Sequence, residues 1–147
     1  MIIRNTAREG LQKLIKHVDS LKKQDVYVGV TKQTNARPDG TSNAVIGRAH
    51  EFGLKVPERS WLRSTIMENG DKYAKLFSDG IMDVVSQDKP IDIIYNNIGQ
   101  VASNDVKLKI VNGPFTPLAQ VTIDRKGSSR PLIDDGHFRK SITWEIR

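Results

Sequence analysis

Two short segments of this chain, one towards each end, carry the residue types and the alternation of β-strands, and most of what lies between repeats its apolar residues with a helical period. That imbalance restricts the fold to a helical body with very little sheet. Asp25 to Thr31 is rich in β-branched and aromatic residues and places Val26, Val28 and Val30 on one face. Ser141 to Ile146 alternates strictly, so that Ile142, Trp144 and Ile146 are expected to face inward. The expected class is α+β: a single domain over 1–147, with a small antiparallel sheet packed against several helices, an N-terminal amphipathic helix and long central helices among them.

The helical expectations follow from spacing and end signals. Thr6 and Glu9 form a capping-box pattern, followed by Ala7, Leu11, Leu14, Ile15, Val18 and Leu21, which predicts an amphipathic helix over 6–23. Residues 32–43 are almost wholly polar around Pro38-Asp39-Gly40 and read as an exposed loop or hairpin tip. Asn43 is placed to cap a short helix through Ala44, Val45, Ile46, Ala49 and Phe52, ended by Gly53 in a left-handed conformation. From Pro57 the text is helix-like, with Trp61, Leu62, Ile66, Tyr73, Leu76, Phe77, Ile81, Val84 and Val85 as candidate core positions and a bend or break at Gly70. Pro90 suits the first turn of a helix over 90–112, and Thr116-Pro117 the cap and first turn of a short one. Lys126 to Ser129 reads as a basic loop.

A chain of 147 residues can bury most of its apolar surface without a disulfide or metal, and with no cysteine it has no thiolate chemistry. No stretch has the run of about 18 apolar residues that a membrane helix needs, and charges follow Met1 to Ala7 where a signal core would lie, so a soluble, unexported protein is expected. Twenty-three Lys and Arg against 17 Asp and Glu give +6, compatible with polyanion contacts but not in itself a nucleic-acid signature.

Catalytic patterns are thin. His50-Glu51 lacks the second His that a zinc-protease helix needs, and reads as a surface or capping pair. Asp134-Asp135-Gly136-His137 offers three ligands on adjacent positions of a turn, where side chains seldom converge on one ion; capping of the next helix by Asp134 or Asp135 is the better reading. Lys126-Gly127-Ser128-Ser129 lacks the order of a phosphate-binding loop. No catalytic residue, cofactor or metal site is expected.

Two blocks carry a recognisable pattern. Ala44 to Gly53 ends in Glu51-Phe52-Gly53 and is followed by Pro57-Glu58-Arg59-Ser60-Trp61-Leu62-Arg63; Arg125 to Ile142 contains Pro131-Leu132-Ile133-Asp134-Asp135-Gly136-His137-Phe138 and Ser141-Ile142. Together, and in this order, they resemble the tail-completion and neck-protein families of long-tailed bacteriophages, also called virion morphogenesis or minor tail proteins. There a helix ending Glu-Phe-Gly precedes a Pro-Arg-aromatic-Leu-Arg turn, and a Pro-Leu-Ile-Asp-Thr-Gly-x-Leu-x-x-Ser-Ile signature lies near the C-terminus. This chain departs at Asp135, where Thr is usual, and Phe138, where Leu is usual; Asp can still cap and Phe still fill an apolar socket. The residues themselves suggest folding devices: Phe52 an apolar anchor, Gly53 a helix stop that lays Trp61 into the core, Pro131-Leu132 an extended approach, Gly136 tight backbone geometry, and Phe138 and Ile142 the docking of the chain's end.

The resemblance implies a non-enzymatic virion protein at the head-tail junction, assembled as a hexameric ring that caps the tail and joins it to the head. Its implied partners are copies of itself, a head-joining or connector protein and a tail terminator or tail tube protein, in the virion and, during assembly, in the host cytoplasm. A tail terminator of the tube and a basic nucleic-acid-binding accessory protein are the alternatives. Arg37, Arg125, Lys126 and Arg130 are the candidates for an interface or for non-specific contact with genomic DNA in the channel, and loops 32–43 and 125–130 read either as segments that order against a neighbour or as floppy surface loops.

Overall fold

In the computed structural model, which describes residues 2–87, 89–127, 129–132 and 136–147 but not the side chains of 2–5 and 126, the two strand segments pair with each other. β1 (Val26–Val30) and β2 (Ile142–Ile146) form an antiparallel ribbon in which Val26 faces Ile146, Val28 faces Trp144 and Val30 faces Ile142. Asp25 and Arg147 extend it by exchanging backbone hydrogen bonds of 2.7 and 3.0 Å. A two-stranded ribbon is marginal alone and needs a packing partner. It finds one in α5 (Asp92–Asn112), the longest helix, which contacts both strands. The close approach is made at Gly99, whose missing side chain leaves the space that the Trp144 ring occupies.

Around this pair lie α1 (Ile2–Leu21), α2 (Asn43–Phe52), α3 (Arg63–Glu68), α4 (Gly70–Gln87), α6 (Gln120–Lys126) and α7 (His137–Ser141). The α+β class with a small antiparallel sheet is therefore the one observed. The interior falls into two clusters strung along α5. One gathers Trp61, Val106, Ile110, Leu132, Phe138 and Ile142; the other gathers Val84, Ile91, Ile94 and Tyr95. β1 joins them, Val28 and Val30 packing on the first and Val26 on the second. Each such side chain removed from water contributes about 1.5–3 kcal/mol. Among the described residues no helix is long and apolar enough to cross a membrane.

Several boundaries differ from expectation. α1 starts at Ile2, so Thr6 lies inside it rather than at its cap, because nothing in residues 2–5 breaks a helix; it ends at Leu21. Residues 57–62 are not helical, and α3 begins only at Arg63. The break expected at Gly70 is present, α3 ending at Glu68 and α4 starting at Gly70. Residues 113–119 are irregular where a helix from Thr116-Pro117 is expected, and α6 starts at Gln120. Arg125 and Lys126 belong to the end of α6, not to a loop; Gly127, at φ +67°, stops the helix. Val85, expected in the core, is exposed.

Loop 32–43 is held by its own side chains. Lys32–Thr34 forms a 3-10 turn, Ala36 bridges to Ser42, and Asn35 Oδ1 accepts from the Ser42 hydroxyl (2.8 Å) and the Ala44 amide (2.9 Å). At the tip Asp39 Oδ1 accepts from the Thr41 hydroxyl and amide, bonds that, with Arg37 nearby, hold its carboxyl below the usual range. The loop therefore has an internal framework, and is neither a floppy tip nor a segment unable to order within the chain.

Candidate functional site

The two sequence blocks meet in space. Their meeting point is the first core cluster, where the Trp61 and Phe138 rings pack edge to face with centroids 5.0 Å apart. Gly47 of α2 makes this possible. A Cβ there would lie 2.9 Å from atoms of both rings, and its carbonyl accepts the Trp61 indole N–H at 2.9 Å. The fully buried face of α2 is thus Asn43, Gly47 and Glu51, spaced by four residues, with Ile46 alone of its large apolar residues packed half-buried against the core. Ser42 rather than Asn43 caps the helix, accepting the Val45 amide at 3.2 Å, while buried Asn43 donates to the Thr34 carbonyl at 3.0 Å. Phe52, the expected apolar anchor, is 56% exposed and lies under the Arg63 guanidinium, whose carbon is 5.5 Å from the ring centroid.

Glu51 is the organising residue. It is 4% exposed, and its carboxylate accepts from the amides of Trp61 (2.9 Å), Leu62 (2.9 Å) and Arg63 (3.1 Å) and from the Ser60 hydroxyl (2.7 Å). These amides open α3, whose own cap residue, Leu62, supplies no side-chain bond. A helix start leaves such donors without intrahelical partners, and a carboxylate there satisfies them and complements the helix dipole. Glu51 therefore caps a helix whose first residue lies twelve positions downstream. That is the capping half of the expectation for His50-Glu51, reached from inside the protein.

Arg59 is the second buried charge, 3% exposed. Its Nε donates to the Thr116 carbonyl (3.0 Å), one terminal nitrogen donates to His50 Nδ1 (3.2 Å) and the other to the Pro117 carbonyl (3.4 Å). Since a guanidinium only donates, His50 Nδ1 is the acceptor and the ring proton is on Nε2. Burial pulls the Arg59 guanidinium below its usual value. These bonds hold residues 113–119 in their irregular path, which is why no helix starts at Thr116.

In the second block Gly136 adopts the left-handed conformation, φ +80°, at the start of α7. Leu132 is also left-handed, at φ +62°, and buried, so Pro131-Leu132 is a turn and not the extended approach expected. Phe138 and Ile142 are buried as expected; Ser141 ends α7 and donates to the Phe138 carbonyl at 2.7 Å. Asp134, and with it the capping expected of Asp134 and Asp135, lies outside the described residues. Of the four proposed interface cations, Arg37 turns inward, its side chain 8% exposed beside Asn43 and Asp39. It lines a cavity of about 370 Å³ with Pro57, Arg59 and Arg125. Arg130 is exposed, and the Lys126 side chain is not described.

Two outward features have no counterpart among the sequence expectations. An apolar groove of about 470 Å³ opens between α2 and α3, floored by Val30, Trp61, Leu62 and Ile66, with Phe52 and Met67 at its sides and Arg48 and Arg63 on its rim. Along α1, Leu11, Leu14, Ile15 and Val18 keep between 41% and 58% of their surface in solvent. Among the described residues no group of three or more His, Asp or Glu lies close enough to hold a metal ion. No family model, no curated protein and no solved structure matches this chain.

Proposed function

We propose that the chain is a structural subunit of a long-tailed bacteriophage particle, of the tail-completion or neck kind, that assembles as a ring of six at the head-tail junction and joins tail to head. The observation that carries this reading is the division of labour in the molecule. The motif residues Glu51, Arg59, Trp61 and Phe138 direct their polar and apolar chemistry into the chain, while the chemistry left over faces outward as apolar surface on α1 and in the α2–α3 groove. Exposed apolar patches of this kind mark protein contact sites, and a ring needs two different, mutually complementary faces on every subunit. The test is an amber mutation in the gene together with cryo-microscopy of the parent particle. Separate accumulation of filled heads and finished tails, and density for the chain at their junction, are expected. Infectious particles made without the protein would reject the reading.

A second reading, contact with nucleic acid, is favoured by a surface other than the arginines singled out from sequence. Lys13, Lys16, Lys23 and Lys89 line one groove of about 540 Å³ between α1 and the approach to α5. Retention of duplex DNA that falls steeply with salt, and is lost when these lysines become glutamines, is the expected result; retention unchanged by salt would reject it.

A further inference from the structure

Resting on the ring reading above, we infer that the α2–α3 groove of one copy receives the outer ridge of α4 from the next copy. The groove is apolar within and cationic at its edge. Arg63 on that edge already holds Glu58 at 2.8 Å, but Arg48, exposed, has no ion-pair partner among the described residues. An occupant should therefore be a helix with protruding apolar side chains flanked by carboxylates.

Among the described residues exposed apolar side chains stand on α1 and α4, on α5 (Ile93, Leu108) and on α6 (Val121), and charge decides between them. Asp92 beside Ile93 lies in the lysine-lined groove, Asp105 near Leu108 is held by Lys72, and Asp124 near Val121 by Gln120. The stripe of α1 is bordered by Arg8 and by Asp19, which is already paired with Lys22, so it brings no unshared carboxylate to Arg48 and Arg63. The outer face of α4 carries Met82, 70% exposed, with Asp79 one turn before it and Asp83 next to it, and Val85, also exposed, one turn on along the flank. Asp79 is shared with Lys75 one turn before it, but Asp83 has no ion-pair partner among the described residues. Arg48 and Asp83 are thus opposite charges, each bordering exposed apolar surface.

The contact is between molecules. Asp83 lies about 20 Å along α4 from Gly70, at 1.5 Å per residue, and Gly70 follows α3 almost directly. Val84, buried in the second cluster, keeps that end of α4 on the body, so the ridge cannot fold back into its own groove. Groove and ridge are different surfaces, so the contact is head to tail and repeats around an axis.

Because the chain has no cysteine, a single introduced thiol reports the contact cleanly. Met67→Cys marks the groove, where Met67 is 76% exposed, and Met82→Cys marks the ridge. After mild oxidation of the two full-length variants mixed in equal amounts, the disulfide heterodimer that joins groove variant to ridge variant should exceed the statistical mixture with the two homodimers. Adding Arg48→Glu to the groove variant should lower its yield roughly threefold, the range of one ion pair, and Asp83→Arg on the ridge variant should restore it. A statistical mixture, or absence of crosslinks, overturns the inference. The doubly substituted Met67→Cys/Met82→Cys chain separates this from the ring reading. A ladder closing at six supports both; an open ladder keeps the groove contact and removes the ring; a six-membered assembly in native mass spectrometry without crosslinks keeps the ring and removes the contact.

Discussion

At the junction of α2 and α3 a carboxylate is buried and four donors converge on it; along α1 four aliphatic side chains stand in water. By hydrophobicity alone the assignments would be reversed, since α1 has the cleaner apolar stripe and α2 turns Asn43, Gly47 and Glu51 inward. The contrast separates two things that an apolar pattern conflates. Burial within the chain is decided by which face can approach another element closely, and at α2 a glycine and a carboxylate permit that approach. A stripe with no such partner inside the chain, like that of α1, is available to another molecule.

The sharpest way to break the comparison is at Glu51. Glu51→Ala leaves three backbone amides of the α3 start without their acceptor and should lower unfolding free energy by on the order of 3 kcal/mol, read from urea denaturation. An unchanged midpoint would mean the carboxylate is incidental. Next in size is Gly136→Val, where a β-branched residue at φ +80° should cost about 1–2 kcal/mol and reduce particle yield. Normal stability and yield would show that the left-handed start of α7 is dispensable.

A subtler effect lies in two tyrosines, Tyr73 on α4 and Tyr95 in the second cluster. Burial, with the Asp105 carboxylate 3.0 Å from its hydroxyl, pushes the Tyr73 phenol well above its ordinary value; burial and Asp25 raise Tyr95. Folding therefore favours the neutral phenol. That stability is fully present below the unfolded value of about 10 and is lost progressively as pH rises above it. Tyr73→Phe should flatten part of this alkaline decline, and ultraviolet titration should show one late-ionising phenol fewer. Smallest of all should be the change in stability from Leu14→Ser on α1, within about 0.5 kcal/mol, because the side chain is already 41% exposed. Assembly of particles should nevertheless fail. Loss of stability with assembly intact would place α1 with the core instead.

The strands were legible because alternation over five or six residues suits a pleated strand and little else, and the break at Gly70 because glycine followed a completed helical turn. Trp61, Phe138 and Ile142 were legible as core, being apolar residues whose flanking turns had to be anchored. What stayed hidden depends on contacts between distant residues. Residues 57–62 have helical composition, yet the Trp61 and Leu62 amides are claimed by Glu51 on the preceding helix and the Arg59 amide by the His50 carbonyl. Thr116-Pro117 has the look of a cap, yet its carbonyls are claimed by Arg59. Phe52 is apolar, but it sits one position past the inward-facing Glu51 and so falls on the flank of α2. No local window contains these relations. The pairing of a charged residue at the end of one helix with a serine and three amides nine to twelve residues on is a signal that a search for distant caps would find.

The ribbon of β1 and β2 binds residues 26–30 to residues 142–146, so nearly every other element lies inside the loop that it closes. Closure of so long a loop grows only slowly more costly with length, by about 0.6 kcal/mol per doubling, so insertions in surface turns such as 38–40 should be well tolerated at equilibrium. The burden falls on kinetics instead. The ribbon is the most distant contact in sequence and should be among the last to form, leaving Trp144 and the valines of β1 uncovered while the helices are already made. A cell producing this protein quickly would meet its aggregation hazard there, in the interval before the two ends find each other.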